Sequence, residues 1–546
     1  MPHGLVEGAG RDTSARARDA REPRGALLAV VAAAFALRIM AALRAPIIES
    51  DGAYYSELAR SLLRGDLAVA LSPAWPPLVP FAIAALGRIA SLFGMPLTPG
   101  VLEGSARAVS VLAGTLLLLP LHRLALRLIG RRGAFVAVLF VAFHPRLIQF
   151  SGAALTEMPY AACLVAGASA LAAGQGAMAG AALGLAYLAR PEGALMAAAL
   201  WLASVAAGRG LPRGARLRPA FLAAFALVAA PYAVFVSLEL GHPSLGEKGG
   251  YNFWREYRHD YARLFPEPAG LSERVADGPA LARGIPPPRV HALGFAAREP
   301  GVVLARSARN LGVILASSYP IAVYPALALL ALIGVLRLGP APWWTVLVPA
   351  AFLPLVYAPF TVDRRFFVPA IPLIAVLAAR GFVTLAAALP SRVRTPALAR
   401  WTERAALGGL VAGALAYLAL GTRPIDDAPE HRAAGLWLAR HGTITAAAPA
   451  AAGAPYRPIV MSRKPWVAFY AGGLHAELPE GYLAQVLARA RDRGVQVLVV
   501  DARWAATQRP ALAPLLDPAR APAALSLLYR AGGPYPIVLY GLPGPP

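Results

Sequence analysis

Four short groups of ionisable residues interrupt an apolar chain, and each could do chemistry. The first is Glu49-Ser-Asp51-Gly-Ala-Tyr54-Tyr55, directly after the first long apolar segment. Asp51 falls where a helix would begin, and a carboxylate there either caps the free amides of the first turn or takes a proton from a substrate. Glu49 and Asp66 are weaker candidates, and Gly65-Asp66 reads as an ordinary helix stop. The second group is His144-Pro145-Arg146 followed by Thr156-Glu157-Met158-Pro159. Glu157 opens an apolar helix, where the helix dipole favours it, yet a carboxylate at such a mouth is costly unless paired or used. His144 reads as packing or hydrogen-bonding at a helix end rather than binding metal. The third is Asp363-Arg364-Arg365-Phe-Phe-Val-Pro369, either a snorkelling pair or a fork matched to phosphate oxygens. The fourth is the turn Arg190-Pro-Glu192-Gly193, best read as a self-paired turn. Arg38, inside the first apolar segment, needs a partner, with Glu103 and Glu157 as candidates.

The elements that position these groups follow from composition. The 546 residues are 58% hydrophobic and 15% charged, with mean hydropathy +0.55. A soluble chain carries about a quarter charged residues, and several runs here exceed the ~18 apolar residues of a membrane span. The fold class is a polytopic α-helical membrane protein. The net charge of +23 comes from arginines between apolar runs, as in cytoplasmic loops, so nucleic acid is not expected as a partner. The single cysteine, Cys163, lies in an apolar run and cannot form an internal disulfide.

Residues 1–24 form a basic tail, expected on the cytoplasmic side, and 25–421 a transmembrane domain. About eleven spans are predicted, near 25–46, 107–127, 134–150, 157–173, 176–190, 193–207, 218–239, 311–336, 343–360, 366–388 and 404–421. The stretch 76–93 starts with Trp75 and two prolines and is read as a second interfacial helix. This register places 123–133, 208–217, 337–342 and 389–403, which carry eleven arginines from Arg123 to Arg400 and a single acid, Glu403, on the cytoplasmic side. It leaves 47–106, 240–310 and everything after about 422 outside, together with Asp51, Glu157, Arg190 and Arg365. Tyr54, Leu58 and Leu62 recur every four residues, so the helix after Asp51 is expected to lie along the membrane surface with one apolar stripe. Segment 240–310, with Tyr251, Trp254, Tyr257 and Tyr261, reads as a partly helical lid. Residues 422–546 form a small α/β domain: helices 430–440 and 483–493, and strands 458–461, 494–501 and 536–540.

Five motifs then carry a resemblance. The acid-Tyr-Tyr first loop ending in Gly65-Asp66, the Pro76-Pro77-Leu78 helix, His144-Pro145…Thr156-Glu157, Arg190-Pro-Glu-Gly193 and Arg365-Phe-x-x-Pro-x-x-Pro372 resemble the glycosyltransferase-C superfamily over roughly 25–390. The nearest branches are the protein O-mannosyltransferase-like family 39 and the lipid A aminoarabinose- and galacturonosyl-transferase-like proteins. The resemblance implies a polyprenyl-phosphate-linked sugar donor, a lipid, glycan or protein hydroxyl acceptor, inversion at the anomeric carbon and an extracytoplasmic site on the cell's inner (plasma) membrane. By position it implies Asp51 as general base and Glu157 as the assisting acid. It also implies Arg364 or Arg365 at the lipid phosphate, with Tyr54, Tyr55, His144, Arg190 and Glu192 as substrate-binding positions. It leaves open a divalent metal held by Asp51 and Glu157. Desolvation near the bilayer is expected to raise the pKa of Asp51. Two departures stand out: Gly52 follows Asp51 where many relatives have a second acid, and Ser72-Pro-Ala-Trp-Pro-Pro77 replaces the Glu-Lys-Pro-Pro of aminoarabinose-type enzymes. The rival reading is a polytopic transporter or lipid flippase, disfavoured because the charges gather at one mouth and no repeat is visible.

Overall fold

The structure, a computed structural model, describes residues 24–207, 212–360, 362–388, 408, 412, 424–441 and 457–543. Four described helices are long and apolar enough to cross a membrane: Gly25–Arg44, Pro99–Ala142, Arg218–Leu240 and Arg364–Ala388. A fifth candidate, Pro300–Val323 with Pro325–Val335, is bent by 104°. The expected number of about eleven spans is not matched by helices of spanning length among the described residues. Glu157–Ala172, Gly176–Ala189, Glu192–Ala207 and Trp344–Tyr357 are helices of only 14–16 residues, or about 21–24 Å at 1.5 Å per residue. That is shorter than the ~30 Å hydrocarbon core. Gly174, at φ 72°, ends the first of these and the Arg190-Pro turn the second. The expected span 134–150 stops at Ala142, because His144-Pro145 starts a separate short helix, Pro145–Ser151. Apart from residues 408 and 412, the expected span 404–421 lies outside the described residues, as do all but Arg24 of the basic tail, residues 208–211 and the whole of 389–403.

The span expected at 311–336 is broken. Its helix passes through a π-helical turn at Ile314–Ser318 and stops at Tyr324, whose φ of 69° is the only positive value among described non-glycine residues. Pro325 cannot continue the preceding helix and disfavours the helical conformation at Tyr324. The ring of His144 meets that of Tyr324 edge-on at 5.0 Å, and its Nε2 lies 3.4 Å from the Val323 carbonyl, so His144 does pack at a helix end. Arg38 is fully buried, but neither Glu103 nor Glu157 pairs with it. It donates instead to the carbonyls of Ala34, Val141 and Ala142.

The helix Ser50–Leu63 ends as the sequence suggests. Gly65 takes φ 79°, with Asp66 N–H donating to Ser61 O and Gly65 N–H to Leu62 O. It does not lie exposed on a surface, however, since every residue from Gly52 to Ser61 is buried. Helices Leu78–Leu92 and Pro99–Leu116 cover one side, and the C-terminal domain covers the other. Gly52 makes this possible: a Cβ there would stand 2.7 Å from both the Cβ and the carbonyl of Ala154. A second acidic side chain has no room at this position.

The C-terminal domain is a mixed sheet of β1 (Ile459–Ser462), β2 (Leu474–Glu477), β3 (Val497–Asp501), β4 (Ser526–Ala531) and β5 (Ile537–Gly541), in the order β2-β1-β3-β5-β4. β1 pairs in parallel with β2 and β3, while β5 runs antiparallel to β3 and β4. Helices Pro429–His441 and Leu483–Asp492 accompany it close to their expected positions. Segment 240–310 is partly helical, with Glu247–Tyr261, Leu271–Ala276 and Ala292–Arg298. Its aromatic side chains Phe253, Trp254, Tyr257 and Tyr261 pack with Phe295 into a small core of their own.

Candidate active site

An open cavity of about 1420 Å³ lies where the first-loop helix, the helix mouths, segment 240–310 and the C-terminal domain meet. Asp51 is on its wall. The helix N-cap is Glu49, without a side-chain cap bond, and the Ser50 N–H donates to Asp426 Oδ2 at 3.1 Å. Asp51 is thus not spent as a cap. Its Oδ2 accepts from Arg365 Nη2 at 2.9 Å, and its Oδ1 lies 3.8 Å from Lys248 Nζ. Burial favours the protonated form, but Lys248 and Arg365 outweigh burial and hold the Asp51 carboxyl well below the usual carboxylate range. In this ligand-free arrangement the expected upward shift is reversed. Glu49 turns inward and accepts from Ala154 N–H at 2.6 Å, and burial pushes its carboxyl up to about 7 despite that bond.

Glu157 is 1% exposed and lies behind the wall rather than on it. Its Oε1 accepts from Arg190 Nη1 at 3.1 Å and lies 3.7 Å from Arg365 Nε, while its Oε2 has no protein partner. Arg190 is the knot. Beyond Glu157 it donates to Glu192 Oε1, to Thr156 Oγ1 at 3.3 Å and to Tyr357 OH at 3.0 Å, and Tyr357 in turn bonds Glu192. The self-paired turn is present, and it also ties three helix mouths together. Arg364 is exposed on the cavity wall, whereas Arg365 is held by the two acids. The two arginines therefore do not act as one fork.

The structure thus brings together Asp51, Tyr55, Glu157, Arg190, Glu192, Arg364 and Arg365. It does not bring Tyr54 or His144 to the cavity wall. The Tyr54 hydroxyl points into the C-terminal domain, donating to Ala276 O at 2.6 Å and lying 3.1 Å from His475 Nδ1. The carboxylates of Asp51 and Glu157 share a guanidinium where a cation would sit, and no group of three or more His, Cys, Asp or Glu suited to a metal occurs among the described residues. This donor set does not fit a divalent ion without displacing Arg365.

Among the wall residues not anticipated are Lys248, Tyr357, Asp426 and Lys464. A signal for two of them existed. The chain contains only two lysines among its 52 basic residues, Lys248 and Lys464, and both line this cavity. Lys464 comes from the loop after β1, so the C-terminal domain supplies part of the wall.

No protein-family model matches the chain, and no curated protein matches it in sequence. Solved structures do match in shape. Archaeal oligosaccharyltransferase AglB from Archaeoglobus fulgidus, in complex with an inhibitory peptide and a dolichol-phosphate, superposes with a TM-score of 0.55 at 14% identity, covering 88% of this chain and 69% of AglB. ArnT from Cupriavidus metallidurans bound to undecaprenyl phosphate gives 0.53 at 16% identity, covering 95% of this chain and 98% of ArnT. These likenesses show a shared fold with membrane glycosyltransferases of known structure. Arabinofuranosyltransferase AftD from Mycobacteria has the same fold over 96% of this chain, with a TM-score of 0.50 and 15% identity, but this chain spans only 42% of AftD.

Proposed function

We propose that this protein is an integral membrane glycosyltransferase that moves a sugar from a polyprenyl-phosphate carrier to an acceptor hydroxyl on the extracytoplasmic side, with inversion. The observation that carries this reading is the Asp51–Arg365 contact of 2.9 Å on the wall of a large cavity, in a fold whose solved members include a dolichol-phosphate complex and an undecaprenyl-phosphate complex. Asp51 accepts the proton of the acceptor hydroxyl as its oxygen bonds the anomeric carbon. The bond from that carbon to the phosphate oxygen breaks, and the electron pair leaves with the lipid phosphate. Charge grows on that phosphate, and Arg365, with Arg364 beside it, stabilises it. Glu157 touches neither substrate in this scheme and acts as a positioning residue, orienting Arg365 through its Nε. Arg190 and Glu192 hold the mouth that carries Glu157.

The test is release of polyprenyl phosphate from a panel of radiolabelled polyprenyl-phosphate sugars by purified protein with a membrane-extract acceptor. Asp51→Asn should lower transfer about 10²–10⁴-fold, the usual contribution of a positioned general base, with the protein still folded in detergent. Full activity in that variant removes the base assignment.

A further inference from the structure

Lys248 is out of place for a structural residue. It opens the helix Glu247–Tyr261, which the Glu247 N–H fastens to Pro73 O at 3.0 Å and the buried Arg274–Glu247 pair braces. Its Nζ lies 3.7 Å above the Trp75 ring and 3.8 Å from Asp51 Oδ1. The ring face attracts the cation without taking a hydrogen bond, and 3.8 Å is too long for one. No hydrogen bond from the ammonium to a described residue forms, and the side chain, 28% exposed, faces the open cavity with N–H donors to offer an incoming anion. The chain uses arginine for nearly every other cation. A lysine is a compact point charge whose donors can swing between partners, whereas a guanidinium fork grips a carboxylate in fixed geometry.

We propose that Lys248 is a ligand of the donor's phosphate that exchanges Asp51 for that phosphate, so that the catalytic carboxylate is released only once the lipid-linked donor is seated. This inference rests on the sugar-transfer reading above. The groups facing Asp51 are Arg365, Lys248 and, farther off, Lys464 on the cationic side, and Asp426 and Glu157 on the anionic side. While Lys248 and Arg365 both face Asp51, the carboxylate is a poor base. An oxyanion arriving between them accepts an N–H of the ammonium and draws both cations away. The acceptor then meets a competent base only when the donor is present, which imposes donor-first binding.

The test is binding of undecaprenyl phosphate to the full-length protein in detergent, followed from pH 6 to 10. Burial brings the Lys248 ammonium down to about 8, with Asp51 opposing. A phosphate that binds the charged form holds its affinity below about pH 8 and loses it progressively above. Lys248→Met, which keeps the side chain over Trp75, is expected to bind about tenfold or more weakly at pH 7 and to lack the alkaline loss. Lys248→Arg should bind at pH 7 and keep its affinity to pH 10. Asp51→Asn, by freeing the cations, should tighten binding several-fold, and Lys248→Met should shrink that gain. Wild-type and Lys248→Met curves that superimpose within a factor of two at pH 7 and pH 9.5 overturn the inference alone. If the wild type fails to bind undecaprenyl phosphate at any pH, the sugar-transfer reading falls, and this inference with it.

Discussion

Arg190→Met tests whether the buried knot, rather than hydrophobic packing alone, fixes the helix mouths around the cavity. Arg190 is 12% exposed, Glu157 1% and Glu192 12%. Removing the guanidinium leaves Glu157 with only Arg365 at 3.7 Å and Glu192 with only Tyr357, and breaking a buried pair from one side costs up to about 3–5 kcal/mol. Glu157→Gln is milder, because Arg190 keeps Glu192, Tyr357 and Thr156 and loses only one charge-assisted bond, about 1.5–3 kcal/mol. The double variant removes the stranded charge on Glu157 that makes Arg190→Met so costly. It should therefore be less destabilised than the sum of the singles by about 1–3 kcal/mol, the range of coupling between contacting residues. Equilibrium unfolding of the four proteins in mixed detergent and dodecyl sulfate micelles measures that coupling. Arg190→Lys should recover little, since one ammonium cannot reach four acceptors in a plane. Additivity within about 0.5 kcal/mol would show that Glu157 does not depend on Arg190 and would refute the reasoning.

The two arginines of the 364–365 pair should separate. Arg365→Ala is expected to reduce transfer at least about 10²-fold and to weaken lipid-phosphate binding, as loss of a preorganised donor to a developing oxyanion does, while Arg364→Ala should cost under about tenfold, read in the same release assay. Gly52→Asp should destabilise the protein by about 1–3 kcal/mol or more through overpacking against Ala154. Melting in detergent checks this, and unchanged stability would show that the first-loop helix can shift.

The legible parts of this protein were those set by local chemistry. The β-branched run before Asp501 is a strand, Gly65 ends a helix, and Arg190 pairs with Glu192 two residues away. The β2 strand, Leu-His-Ala-Glu, has no such run and was not anticipated, because pairing with β1 rather than propensity makes it a strand. Contacts over long separations could not be read at all. Asp51 and Arg365 stand 314 residues apart, and nothing local marks Arg365 rather than Arg364 as the partner. Counting apolar runs did not reveal how short several of the helices are, because hydropathy is blind to where a helix turns back. The Tyr319-Pro320 and Tyr324-Pro325 pairs carried a warning of the bend in 311–336, but the uninterrupted apolar composition masked it. The sense of the Asp51 shift was misjudged for a related reason: burial was visible in the sequence, while Lys248 and Arg365 beside it were not.

The C-terminal domain is bound into the site by polar groups that have nowhere else to go. Its Tyr470 hydroxyl accepts from Ile48 N–H at 2.9 Å, and Arg432 donates to Pro46 O at 3.0 Å, both just ahead of Asp51. At the β2 edge, Gly278 N–H donates to His475 O at 2.8 Å and Glu477 N–H to Asp277 Oδ1 at 2.7 Å, while Arg493 lies 3.0 Å from Asp277 and Arg489 pairs with Glu273. Segment 240–310 thus covers an exposed sheet edge, a position that otherwise invites wrong pairing. The same segment carries Lys248 to Asp51 through the Arg274–Glu247 brace. Swinging the domain away would expose each of these backbone groups at about 1 kcal/mol apiece and would unseat both lysines at once. The same contacts that dock the C-terminal domain therefore also complete the cavity wall.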